Sequence, residues 1–60
     1  MNIIIDRAIE EGAKIDERTY IVYFIFDGFV SRMRFSNWLM VNDIPHTVTL
    51  KVITIEKDRI

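Results

Sequence analysis

The sequence has no cysteine and a single histidine, and this restricts the chemistry that the chain can carry. Without cysteine no disulfide can form, and His46 alone cannot complete the Cys and His ligand set of a structural zinc site. The chain has only two glycines and contains no glycine-rich phosphate loop. We therefore predict no catalytic residues, no metal site, no cofactor and no enzymatic activity.

Strong charge and long apolar segments are also missing. The formal net charge is -1, which provides no broad field that would attract nucleic acid. The longest apolar stretch, 20–26, is far shorter than a membrane span. The 3–5 isoleucine run has no basic segment before it, unlike a signal peptide. These patterns predict a cytoplasmic protein that does not enter a membrane.

Large apolar side chains are abundant. Half of the residues are hydrophobic, and eleven of the 60 are isoleucine, a composition typical of a packed core rather than of disorder. We expect one small domain, 1–60, which buries only about 60% of the surface of its unfolded chain. Because disulfides and zinc are excluded, a domain this small can gain further stability from oligomerisation or from a binding partner. We therefore predict a homodimer.

The N-terminal segment carries the signals of a helix. Asn2 can cap its first turn and Gly12 can end it, which predicts a helix over 3–11. An edge strand over 2–6 is the alternative, because successive isoleucines favour extended backbone. Residues 13–18 then form a charged connection.

The dipeptide Asp27-Gly28 is the strongest local signal in the chain. Asp-Gly suits the two central positions of a type I′ turn, which both need positive φ. It separates two runs rich in β-branched and aromatic residues, 20–26 and 29–35. The sequence therefore predicts a β-hairpin over 19–35.

Folding these runs about the turn gives the hairpin two faces. One face is nearly all apolar and is the predicted core; it carries Tyr20, Val22, Phe24, Phe26, Phe29, Met33 and Phe35. On the other face Tyr23 lies opposite Arg32, and Ile21 lies opposite Arg34. Ile25 and Val30 complete that second face.

A helix over 29–41 is the alternative for the second run. Its apolar positions, 29, 30, 33, 35 and 38–41, do not keep the 3.6-residue spacing of a single buried stripe, which favours the strand. A short helical turn near 36–42 then follows, capped by Ser36 and ended before Pro45.

The last element is a strand over 47–57. Its alternation changes phase at Ile53 and Ile55, which indicates either a bulge or a strand covered on both sides. Together these elements predict a small α+β domain with an antiparallel sheet, an N-terminal helix and a short helical turn. A five-stranded SH3-like small barrel is the alternative.

Arginine and tyrosine on the second hairpin face are the first candidate site. Arg32 can stack on Tyr23, and both residue types are enriched where protein interfaces concentrate their energy. Two interpretations are open. Either the N-terminal helix covers this face with Ile5, Ala8 and Ile9, or the face stays free for a partner.

Trp38 to Val41 is the second candidate site, because four adjacent bulky residues cannot all point inward from one helical turn. The predicted partner-binding residues are therefore Ile21, Tyr23, Arg32, Arg34, Trp38 and Met40. His46 is interpreted as a loop histidine. The acidic residues near the N-terminus are interpreted as a solvated surface.

These observations predict a non-enzymatic protein-binding module. The isoleucine-rich, leucine-poor composition is typical of AT-rich genomes, including those of bacteriophages. It favours a small viral, phage-type accessory regulator or inhibitor that binds and blocks a larger host protein. The alternative is a small nucleic-acid-binding β module that stacks bases on its surface aromatic residues.

Overall fold

The computed structural model describes residues 2–60 and contains two helices, four strands and a terminal 3₁₀ turn. In chain order these are α1 (Ile3–Glu10), β1 (Lys14–Glu17), β2 (Ile21–Ile25), α2 (Phe29–Val41), β3 (Thr47–Thr49), β4 (Val52–Glu56) and the 3₁₀ turn (Lys57–Arg59). The strands form one antiparallel sheet in the order β1-β2-β4-β3. The small α+β class is confirmed, and this sheet is open rather than closed into an SH3-like barrel.

Helix α1 is confirmed at its predicted place. The Asn2 side-chain oxygen accepts hydrogen bonds from the backbone N–H groups of Ile4 and Ile5, at 2.9 and 3.1 Å. Gly12 follows the helix with φ 88°, the left-handed conformation in which glycine commonly ends a helix. Because Asn2 satisfies two otherwise unpaired donors of the first turn, the helix is favoured over the edge strand.

The charged segment after α1 is a strand rather than the predicted connection. β1 pairs with β2 at the edge of the sheet, with Ile15 opposite Phe24. Ile15 packs against the core, while Lys14 and Glu17 are exposed. Charged side chains are usual on an edge strand because they discourage pairing with another chain.

The predicted hairpin over 19–35 is wrong in its second strand, which is the first half of α2. Gly28 has φ -112° and ψ 145° and is the N-cap of this helix. In the described residues positive φ occurs at Gly12, Asp43 and Leu50, so the Asp27-Gly28 pair does not form a type I′ turn. The short helical turn predicted near 36–42 is the second half of the same helix.

Tertiary packing overrides the turn signal because β2 has no edge left for the 29–35 run. β1 pairs with one edge of β2 and β4 with the other. Residues 29–41 therefore pack on the face of the sheet. Phe35 of α2 lies 5.2 Å from Phe24 and 5.6 Å from Phe26, measured between ring centroids.

The predicted strand over 47–57 is two strands joined by a turn at Leu50 and Lys51. Val48 of β3 pairs with Ile53 of β4, so both side chains lie on the same face of the sheet. The phase change at Ile53 is therefore produced by the turn. Neither a bulge nor a strand covered on both sides is needed to explain it.

Both helices contribute to one core on a single face of the sheet. Its buried residues are Ile4, Ala8, Val22, Phe24, Phe26, Phe35, Leu39, Ile53 and Ile55. The helices therefore cover the Val22 and Phe24 side of β2, and the side that carries Ile21, Tyr23 and Ile25 is open. Of the two interpretations left open for Ile21, the one in which α1 covers it is wrong. Of the residues expected in the core, Tyr20, Phe29 and Met33 are exposed.

In the part of the chain that the structure describes, neither helix is long and apolar enough to cross a membrane.

Candidate protein-binding surface on α2

Helix α2 carries apolar side chains on two opposite sides. Phe35 and Leu39 point into the core and are completely buried. At 100° per residue the opposite side of the helix carries Phe29, Val30, Met33, Asn37, Met40 and Val41. We call these six residues the outer face of α2. Its five apolar side chains are exposed, from 43% for Met33 to 82% for Val41.

These two apolar sides explain why the sequence did not predict α2. A surface helix normally shows one apolar stripe, and a helix that is apolar all round is normally buried all round. α2 follows neither pattern, because Ser31, Arg32, Arg34 and Ser36 separate two apolar stripes, of which the chain covers only one. Side chains of this size and exposure present roughly 600 Å² of apolar surface, at the upper end for the largest patch on a monomer. A patch of this size is often functional, which makes the outer face a candidate interaction surface.

At its N-terminal end the outer face continues into a groove against the β3–β4 turn. This hairpin-tip groove has a volume of about 640 Å³ and is lined by Phe29, Arg32, Leu50, Lys51 and Val52. The Arg32 guanidinium lies 4.7 Å from the centroid of the Phe29 ring, and Arg32 Nη1 donates to the Leu50 carbonyl oxygen at 2.7 Å. Arg32 thus joins the helix to the turn.

Leu50 occupies an unfavourable position in that turn. It is the first central residue of a two-residue hairpin loop and has φ 48°, where glycine is usual in a type II′ turn. Its side chain is also 85% exposed. Backbone strain of this kind is found more often at functional sites than elsewhere.

At its C-terminal end the outer face continues into a shallow depression. This C-terminal depression has a volume of about 410 Å³ and is lined by Met40, Asp43, Ile44, Pro45 and His46. Asp43 has φ 56°, which aspartate tolerates better than most residues. The outer face therefore has a groove with Arg32 and Lys51 at one end and a depression with Asp43 at the other.

His46 has a hydrogen-bonded partner that its position in the sequence does not indicate. Its Nε2 lies 2.8 Å from Ser36 Oγ, and its Nδ1 lies 2.9 Å from the Ile44 carbonyl oxygen. With the ring proton on Nδ1 and donated to Ile44, Nε2 accepts from the serine hydroxyl. The pair joins α2 to the start of β3.

The open face of the sheet is a second candidate surface, and some of the charges on and beside it are paired within the chain. Two nitrogens of Arg18 donate to the Asp16 carboxylate, both at 3.0 Å, and Lys57 Nζ lies 2.7 Å from Glu17 Oε2. The hydrogen bonds that Arg18 donates to Asp16, together with the negative charge of that carboxylate, raise the pKa of Arg18 above its ordinary value. The Arg18 guanidinium also lies 6.0 Å from the Tyr23 ring centroid, in place of the predicted Arg32.

The structure distributes five of the six predicted partner-binding residues over three places. Ile21 and Tyr23 lie on the open face of the sheet, half-buried. Arg32 lines the hairpin-tip groove, Met40 is on the outer face of α2, and Arg34 is exposed at the edge of that face.

The sixth predicted residue, Trp38, packs between the two helices. Its ring stacks on Phe35 with centroids 6.2 Å apart, and the Arg7 guanidinium of α1 lies 5.7 Å from the tryptophan ring centroid. Half-buried in this position, Trp38 holds α1 against α2. We do not include it in the candidate surface.

Sequence reasoning did not find Phe29 and Met33 as surface residues, because the hairpin prediction placed them in the core, and it placed Val30 on the second hairpin face rather than on a helix. The signal that could have found these three is the extra apolar residues in 29–41, which fit two stripes of a helix; Leu50 was missed as well. Comparison of the chain with protein-family models, curated proteins and solved structures found no match.

Proposed function

We propose that this chain is a non-enzymatic protein-binding module and that the outer face of α2 is its binding surface. The observation that carries the proposal is that α2 has apolar residues on two opposite sides. The rest of the chain covers only one of these two sides. Burying an exposed valine, phenylalanine or methionine side chain contributes roughly 1.5–3 kcal/mol. A partner that covers this face therefore gains several such contributions to its free energy of binding.

The composition of the surface also suits a protein partner. Phenylalanine, methionine and arginine are enriched in protein interfaces. The two methionines are flexible and can adapt to the shape of an opposing surface. Arg34 at the edge of the face supplies a charged rim that can set orientation.

The finer parts of the functional prediction belong to this proposal. The module acts in the cytoplasm as a small phage-type accessory regulator or inhibitor, by occupying the surface of a larger protein. We do not propose nucleic-acid binding, because Arg18, the arginine beside Tyr23, is already paired with Asp16.

Photo-crosslinking in cells that produce the protein tests the proposal. A photoreactive phenylalanine analogue replaces Val30 or Met40 in two variants, and Tyr20 in a control. Tyr20 is 81% exposed but lies in the β1–β2 turn rather than on α2. We expect covalent adducts to a polypeptide from positions 30 and 40, and few from position 20.

Absence of adducts at positions 30 and 40 would contradict the proposal. Equal adduct formation at position 20 would contradict it as well, because the contact would then be unspecific or centred on the open face of the sheet. Circular dichroism of each purified variant checks that the fold is retained.

A further inference from the structure

We infer that the outer face of α2 binds a second copy of this chain, with the two α2 helices packed antiparallel about a two-fold axis. This inference rests on the proposed function, because it names the partner of the same surface. Three observations carry it: the symmetry of the outer face, the complementarity of its two ends, and its size.

The outer face is nearly symmetric about the middle of the helix. Reversing the direction of α2 about Phe35 places 29 on 41, 30 on 40 and 33 on 37. Each pair is apolar against apolar except Met33 with Asn37. A two-fold interface uses the same patch on both subunits and requires this self-complementarity.

The two ends of the outer face are both concave. At the N-terminal end Phe29 and the exposed Leu50 line the hairpin-tip groove. At the C-terminal end Met40 and Pro45 line a depression of about 410 Å³. Residues 29 and 41 are about 18 Å apart along the helix, so two antiparallel copies bring the groove of each copy to the depression of the other.

The charges favour the same arrangement. Arg32 and Lys51 line the hairpin-tip groove, and Asp43 lines the C-terminal depression. α2 itself contains no acidic residue. An antiparallel pair places two cations near the partner's aspartate at both ends. A parallel pair places like charges together at each end, which opposes association.

The available area is of the order that a stable dimer needs. A standard protein interface buries about 800 Å² on each partner. The outer face supplies roughly 600 Å² of apolar surface, and Leu50 with the C-terminal depression extends it at both ends. Arg34 lies at the edge of the interface and remains in solvent.

Introduced cysteines test the orientation directly, because the natural chain has none. The variants Phe29→Cys and Val41→Cys are treated with a short bis-maleimide linker, each alone and as a mixture. In the antiparallel dimer position 29 faces position 41 of the second copy. We expect the mixture to give several-fold more linked dimer than either variant alone. Efficient linking within each variant alone, with no gain on mixing, would overturn the antiparallel arrangement.

Sedimentation velocity at tens to hundreds of micromolar tests association itself. We expect the unmodified chain to sediment as two copies, and Val30→Asp and Met40→Ser to sediment as single chains. Tyr20→Asp, at an exposed site outside the interface, should remain dimeric. Because Met40→Ser is a mild change at an exposed position, it still reports association if Val30→Asp disturbs the fold.

The outcomes separate this inference from the proposed function. An unmodified chain that stays monomeric at hundreds of micromolar overturns the dimer. If positions 30 and 40 nevertheless crosslink to a different polypeptide, the proposed function stands with another partner. A dimer that survives both α2 variants overturns the inference, because the copies then meet elsewhere.

Discussion

The two glycines of this chain occupy opposite kinds of backbone position. Gly12 has φ 88° and ends α1 in a conformation that favours glycine. Gly28 has the extended backbone of an N-cap, and a Cβ added there would meet no atom within 4 Å. At an N-cap a serine side chain can accept a hydrogen bond that glycine cannot provide. Gly28 is therefore replaceable in this fold, although it would be needed in a type I′ turn.

At the residue scale we predict that Gly28→Ser stabilises the protein, by about 0.5–1 kcal/mol from the new cap and the stiffer unfolded chain. Gly12→Ala is the matched change and should destabilise it by about 1–2 kcal/mol, because alanine is strained at positive φ. Thermal unfolding of both variants checks the signs. A loss of stability in Gly28→Ser would contradict the N-cap assignment and restore the hairpin turn.

At the scale of the element, α2 combines a core side with the exposed outer face, which we propose is an interaction surface. Phe35 and Leu39, one turn apart, are both completely buried. The opposite side does not contribute to the core. Folding therefore does not restrict its residues, and they can serve binding instead. Arg32 fixes the start of the helix to Leu50, and Ser36 fixes its middle to His46. The outer face is thus presented on a helix tied down at two points.

We predict that truncating a side chain to alanine lowers the free energy of unfolding much more on the core side of α2 than on its outer face. Leu39→Ala should lower the free energy of unfolding by about 2–5 kcal/mol, because it leaves a cavity in the core. Met40→Ala, the adjacent residue, should change it by less than about 0.5 kcal/mol in the monomer. Urea unfolding at low micromolar concentration measures both. A large cost for Met40→Ala would mean that the monomer itself covers the outer face.

The whole molecule is small and has only one side of its sheet covered. Its 60 residues bury nine apolar side chains in one core, and its described residues hold three ion pairs, whose side chains are all at least partly exposed. Exposed ion pairs contribute little, typically about 0–1 kcal/mol each. Stability at this scale is therefore sensitive to anything that binds the folded state, including a second copy.

At this scale we predict that the unfolding temperature depends on protein concentration. If the folded chain associates, mass action raises its Tm as concentration increases, whereas a monomer has a constant Tm. Calorimetry over about a hundredfold range of concentration should show the rise for the unmodified chain. Val30→Asp should give a constant Tm in the same series. A constant Tm for both proteins would contradict association through α2.

Part of the fold and little of the site were predictable from local patterns. Asn2 and Gly12 correctly predicted α1, and β-branched residues correctly predicted β2. The Asp27-Gly28 signal failed because turn preferences are weak compared with the pairing of both edges of β2. Met40 was predicted for the site, whereas Leu50 was missed because no sequence pattern reveals its positive φ.

By itself the sequence determined the α+β class, the N-terminal helix and the apolar side of β2, because caps and two-residue alternation act over a few neighbours. Only the tertiary structure decided that 29–41 is a helix, that the 47–57 segment folds back on itself, and that Ser36 meets His46. Each of these depends on contacts between residues distant in the chain. The exposure of the outer face of α2 has the same origin. The sequence shows how many apolar residues the helix has, but only the packing of the folded chain decides which of them are covered.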